Sequence, residues 1–234
     1  MGWGRRAVSK VVRLTRLART GGVRRALREA GANLWSTQEA YGLSRDLAVP
    51  FQVSPARIEI GVRPLEERDL AELLDPAEGD SPLQLERQRR LLDSGIPRCW
   101  VAVDAEDRPC FMVWLIRPDQ NARMRQVFGP EFPALEPDEV LLERGFTPRR
   151  HRGQRVGPQA LSLITETAHP AYRWAWAFVA VDNVAALKLV DRAGFRPAAL
   201  RRSKWRLLHH STQFHPLTPE AQAEGIDLPP GHEA

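Results

Sequence analysis

Apolar residues along this chain follow two alternating periods, and their alternation lays out the elements in order. Residues 5–19 place Val8, Val11, Val12, Leu14, Leu17 and Ala18 at spacings of three and four, the pattern of an amphipathic helix. Gly21-Gly22 interrupts it, and Val23–Ala30 reads as a second short helix ending at Gly31. Residues 32–55 hold no clear period and close on Val49-Pro50 and Ser54-Pro55, which reads as a linker or lead-in. Regularity then sets in. Arg57–Arg63 alternates like a strand, stopped by Pro64, and Leu65–Asp75 brings Leu70, Leu73 and Leu74 to one helical face. Ser81-Pro82 opens another helix, with Leu83, Leu85, Leu91 and Leu92 as its apolar set.

Cys99–Val103 and Cys110–Ile116 read as two strands of a hairpin, divided by the polar run 104–109. A short helix over Asn121–Phe128 comes next, then a strand over Glu139–Thr147 and a helix over Pro158–Ala168. A strand over Trp174–Val181, a helix over Asn183–Ala193 and a last strand over Ser203–His209 complete the regular part. From Pro216 onward the chain is rich in Pro, Glu and Gly and is expected to hold little order. This order predicts an α/β fold around one mixed sheet. The expected units are a helical arm over 1–31, a lead-in over 32–55, one domain over 56–210 and a tail over 211–234.

Charge changes the picture at one end only. The net charge is +5, yet nine basic and no acidic residues lie between Met1 and Arg28. The remainder carries 25 basic and 29 acidic residues, so the basicity belongs to the arm. Clustered arginines beside an apolar stripe suit an anionic membrane surface, an acidic carrier or nucleic acid. Arginine outnumbers lysine 31 to 3, the bias that GC-rich bacterial coding produces. No apolar run approaches a membrane span, and arginines break the N-terminal one too often for a secretory signal, so a cytoplasmic setting is expected. Cys99 and Cys110 lack metal-ligand spacing and read as buried thiols; no metal is expected.

Two segments carry candidate chemistry. Arg152-Gly153-Gln154-Arg155-Val156-Gly157-Pro158 lies between a strand and a helix. A glycine-bearing turn at a helix start aims backbone N–H groups outward, and the helix dipole favours an anion there. Arg149, Arg150, Arg152 and Arg155 add charged donors suited to phosphates. One strand later, Asn183 can cap a helix that faces Ala186, Leu187 and Val190 inward and ends at Gly194-Phe195.

Together and in this order the two segments resemble the GNAT superfamily of acyl-CoA-dependent N-acyltransferases, over residues 56–210. The family's phosphate motif, Q/R-x-x-G-x-G/A, is matched by Arg152–Gly157, with Arg155 standing where the middle glycine is usual. Its second motif is matched by Asn183, Ala186, Gly194 and Phe195, while Val190 stands where many members carry a thiolate-protonating tyrosine. The resemblance implies a mixed, mostly antiparallel sheet flanked by helices, with the pantetheine arm of acetyl-CoA, or of a longer acyl-CoA, lying between two splayed strands. It implies cofactor contacts from Phe146, Thr147, Arg152, Gly153, Gln154, Arg155, Val156, Gly157 and Asn183.

An amine acceptor must lose a proton before attacking the thioester. Glu139 and Glu143 lie four apart on one strand, so both project from one face and either can serve as base, with Glu143 nearer the expected centre. Acceptor contacts are expected from the helices of 65–95, the 117–138 segment and the final strands; the acceptor is a small-molecule or peptide amine. The readings left open are an N-acetyltransferase, a longer-chain acyltransferase using acyl-CoA or an acyl carrier protein, and a non-catalytic acyl-CoA-binding module. The arm over 1–31 is the expected docking element for an anionic surface, carrier or nucleic acid, and a homodimer is compatible with each.

Overall fold

A computed structural model describes residues 35–79, 82–96, 99–168, 171–207 and 209–218. The expected arm over 1–31 and most of the expected tail lie outside the described residues. Strands are β1 Trp35–Asp46, β2 Gly61–Pro64, β3 Cys99–Val103, β4 Pro109–Ile116, β5 Glu139–Phe146, β6 Trp174–Ala180, β7 Arg196–Arg206 and β8 His209–Pro216. Helices are α1 Leu70–Leu73, α2 Pro82–Leu92, α3 Asn121–Phe128, α4 Val156–Ala168 and α5 Val184–Arg192. The described strands form one sheet in the order β2-β3-β4-β5-β6-β1-β7-β8. Every pairing is antiparallel except that of β5 with β6.

Apolar side chains fill both faces. On one, Leu161, Ile164, Leu187 and Val190 of α4 and α5 pack on Val113, Val140, Ala177 and Leu43. On the other, Leu73, Leu91 and Met124 pack on Met112, Trp114, Leu141 and Phe146. Fully burying one such large side chain stabilises the fold by roughly 1.5–3 kcal/mol. Cys99 and Cys110 are buried free thiols, and burial pushes the Cys110 thiol up to about 12.

Three expectations need correction. The segment expected as a lead-in contains β1, which pairs with β6 on one side and β7 on the other. Tyr41 and Leu43 of β1 join the α4/α5 core, and buried Arg45 donates to Ala193 O at 3.0 Å and Ser162 Oγ at 3.3 Å. Arg45 thus satisfies a carbonyl at the end of α5, where a cation suits the helix dipole. The expected last strand, Ser203–His209, spans a hairpin turn instead. Leu207 takes φ +46, and β7 and β8 pair on either side of it, so residues 211–216 of the expected tail belong to the sheet.

The expected helix over Leu65–Asp75 shrinks to a 3-10 turn, Glu67–Asp69, followed by α1. Asp69 is tied down by Arg63 through two 2.8 Å hydrogen bonds and accepts the Glu66 amide at 2.8 Å. Pro76 then bars continuation.

Candidate active site

β5 and β6 run parallel and then part. Their register extends from Glu139↔Trp174 to Leu142↔Ala177, although β5 continues to Phe146 and β6 to Ala180. At the same level β5 bulges. Arg144 takes φ +58, and the β4 register shifts between Met112 and Trp114. Past this point Phe146 is buried and paired with Met112, Thr147 is half-buried, and the strand edges of β5 and β6 face one another without a ladder.

The turn into α4 follows directly. Arg149–His151 forms a 3-10 turn, Gly153 takes φ +73, and Arg155 takes φ +59. Arg155 therefore holds the left-handed backbone that glycine adopts most readily, at a cost of about 1–2 kcal/mol. Among the described residues, no protein acceptor takes the amides of Gly153, Gln154 or Arg155. A Cβ built on Gly153 would meet nothing within 4 Å, so the mouth of the turn is open to an anion.

Gly157 has a different reason to be small. A Cβ there would lie 2.5 Å from Leu189 Cδ1, so this glycine lets α5 close on α4. Gly194, at the end of the second motif, takes φ +87, and a Cβ there would lie 2.6 Å from the Phe51 ring. Asn183 caps α5 by accepting the Ala186 amide at 3.2 Å.

Not every arginine near the turn faces the open mouth. Arg149 donates to Gly79 O at 3.3 Å, and Arg150 pairs with Glu72 and Glu78 and so pins the 72–79 segment. Arg152 Nε donates to Thr147 O at 3.1 Å. Arg155 is exposed and, among the described residues, its guanidinium has no protein partner.

The two glutamates are brought to one face of β5 and then separate in role. Glu139 Oε1 accepts Trp176 Nε1 at 2.9 Å, and Oε2 accepts the Glu136 amide at 2.9 Å. Glu143 is buried beside the bulge, 3.2 Å from Arg144 Nε. Burial pushes its carboxyl above the ordinary range; Arg144 and Arg201 pull it back, and Glu131 pushes it up. Val190 is buried with Leu187 in the core, while Tyr41 and Tyr172 pack half-buried on the same core. Sequence reasoning missed Arg201, whose charge acts on Glu143 and whose guanidinium lies over the Phe132 and Phe178 rings, because an arginine in the run Arg201-Arg202 gives no periodic signal.

No family model matches the sequence, and no curated protein does. Solved structures do. A GCN5-related N-acetyltransferase from Sphaerobacter thermophilus aligns at 16% identity and TM-score 0.48, over 80% of this chain and 58% of its own. The glucosamine N-acetyltransferase region of a fungal multi-domain beta-N-acetylglucosaminidase aligns at 15% identity and TM-score 0.52, over 80% of this chain and 23% of that one. A conserved Staphylococcus epidermidis protein of unknown function aligns at 8% identity and TM-score 0.50, over 78% and 66%. The chain spans a little over half the length of the first of these and about a quarter of the second. The fold is like that of the N-acetyltransferase region just named: a mostly antiparallel mixed sheet with one parallel pair, flanked by helices.

Proposed function

We propose that this protein is an N-acetyltransferase that moves the acetyl group of acetyl-CoA to a primary amine of a small molecule or peptide. The observation that carries the reading is the set of unengaged amides at Gly153, Gln154 and Arg155, set beside the parting of β5 and β6. A diphosphate fits those amides and the α4 dipole, and a pantetheine arm fits the gap between the strand edges. Backbone donors beyond the β5 bulge, near Phe146 and Thr147, suit the thioester oxygen as it gains negative charge.

The amine attacks the thioester carbon, a C–N bond forms, and the C–S bond breaks to release coenzyme A as thiolate. Glu143 takes the amine proton, directly or through water, and its raised pKa makes it a better base at neutral pH than an ordinary carboxylate. Glu139, with both oxygens engaged, holds the strand pair and does not serve as base. With valine at 190, the thiolate takes its proton from water.

That valine also favours a second reading, an acyl-CoA-binding module without turnover. Thermal shift with acetyl-CoA and coenzyme A, followed by thiol release across an amine panel, separates the two. Binding with thiol release supports transfer; binding without it supports the module; no thermal shift refutes both. Arg155→Glu should weaken coenzyme A affinity about tenfold, the scale of one charge-assisted contact.

A further inference from the structure

The start of β1 and the turn of the β7-β8 hairpin meet at one end of the sheet. Trp35, the first residue of β1, is the register partner of Arg206, the last residue of β7, and the turn to β8 begins at Leu207. Among the described residues three large apolar side chains are exposed. Two of them, Trp35 at 70% and Leu207 at 78%, belong to this tip. Single apolar residues scattered over a surface need no explanation, but a tryptophan and a leucine at one tip do. Leu207 also takes φ +46, a left-handed conformation for which turns ordinarily use glycine or asparagine. An exposed leucine there adds nothing to the described core, so its side chain serves contacts outside the fold.

Charge of one sign surrounds the tip. β7 and β8 carry Arg196, Arg201, Arg202, Lys204 and Arg206 and no aspartate or glutamate. Asp191 takes Arg196 and Glu39 takes Arg202. Arg206 donates to neutral acceptors, Ser36 O at 2.8 Å, Trp205 O at 2.7 Å and Thr37 Oγ1 at 3.3 Å, and its guanidinium lies 4.1 Å from the Trp35 centroid. Lys204 is the register partner of Thr37, two residues from Trp35, and so lies on the same face. Among the described residues no carboxylate pairs with Lys204 or Arg206. Only residues 29–34 separate Trp35 from residues 1–28, which hold nine basic residues, no acidic one, and Val8, Val11, Val12, Leu14 and Leu17 at helical spacing.

We propose that this tip, with the adjoining basic segment, docks on an anionic lipid bilayer, Trp35 and Leu207 entering the interface and Lys204 and Arg206 meeting the headgroups. Tryptophan favours the membrane–water boundary, long cationic side chains reach back to headgroups, and anionic lipid attracts each of them. Nucleic acid would match the charge but not the aliphatic side chains, and Arg206 already covers one indole face on which a base would stack. The docking needs neither coenzyme A nor an acceptor amine.

Cosedimentation of the full chain with vesicles of phosphatidylcholine, and of an equal mixture with phosphatidylglycerol, tests this. Binding to the mixed vesicles should be about tenfold tighter or more, and should weaken as salt is raised. Trp35→Ser combined with Leu207→Ser should lower that affinity about tenfold at an unchanged melting temperature, since both side chains are exposed. Lys204→Glu should weaken it about fivefold or more by reversing a charge at the headgroups. No vesicle binding, equal binding to both compositions, or a double variant that binds like the parent would overturn the assignment. Should the double variant melt lower, Lys204→Glu decides alone, and unchanged affinity there overturns it. So does a single-stranded oligonucleotide that binds more tightly than the mixed vesicles, which would give the face to nucleic acid.

Discussion

Trp176 Nε1 donates to Glu139 Oε1 at 2.9 Å across the parallel strands, where their ladder begins. The bond ties the start of the ladder together and leaves Glu143, two pleat repeats further on, as the carboxylate beside the gap. Glu139→Gln should therefore cost about 1 kcal/mol of stability and leave kcat nearly unchanged. Glu143→Gln should lower kcat by about 10²-fold or more at unchanged coenzyme A affinity. Melting curves and steady-state rates read the two effects, and swapped results would reverse the roles.

Glu143 also predicts a pH dependence of stability. Its folded-state pKa is raised, so the folded chain binds its proton more readily than the unfolded chain. The group favours folding most below its unfolded pKa, and that advantage is lost as pH rises through the folded value. The Tm difference between Glu143→Gln and the parent should grow in the variant's favour across that rise. A difference independent of pH would contradict the burial argument.

Asp69 should act in the opposite sense. Burial alone would raise its pKa, but the Arg63 fork and the Glu66 amide outweigh burial and the net is a lowered value. Its contribution is present above the unfolded pKa and is lost as pH falls through the depressed one. Asp69→Asn should cost about 3 kcal/mol near neutrality, by breaking a buried pair, and should flatten the acid limb of a Tm-versus-pH curve. An acid limb of unchanged steepness would show the pair to be unimportant.

Gly157 offers a packing test. Gly157→Ala should destabilise by about 1–2 kcal/mol through its collision with Leu189. In the Leu189→Ala background the same change should cost much less. If the two substitutions simply add, α4 and α5 do not meet there.

How much of this was visible in the chain depends on how strongly each segment repeats. The Cys99–Ile116 hairpin and the Asn121–Phe128 helix carry dense apolar periods and appear close to their expected bounds. β1 escaped notice because the face that holds Ala40, Gly42 and Ser44 carries no large apolar residue, and the alternate face mixes Tyr41 and Leu43 with Glu39 and Arg45, so no apolar period stands out. Leu207-Leu208 read as strand, and only the left-handed backbone at Leu207 reveals the turn. The glycines of 152–157 marked the turn into α4, but composition does not tell an arginine aimed at an anion from one clamping a neighbouring loop. Arg149 and Arg150 clamp, and Arg155 does not. The bulge at Arg144 left no trace at all, since nothing about an arginine announces a positive φ.

The place of β1 in the sheet bears on how the chain is made. Its hydrogen-bonding neighbours, β6 and β7, are synthesised only after most of the protein has left the ribosome. Until then both edges of residues 35–46 stay unsatisfied, so the emerging strand is a natural client for chaperones. Closure of the sheet is then a late event, seating residues 35–46 between two strands distant from them in sequence.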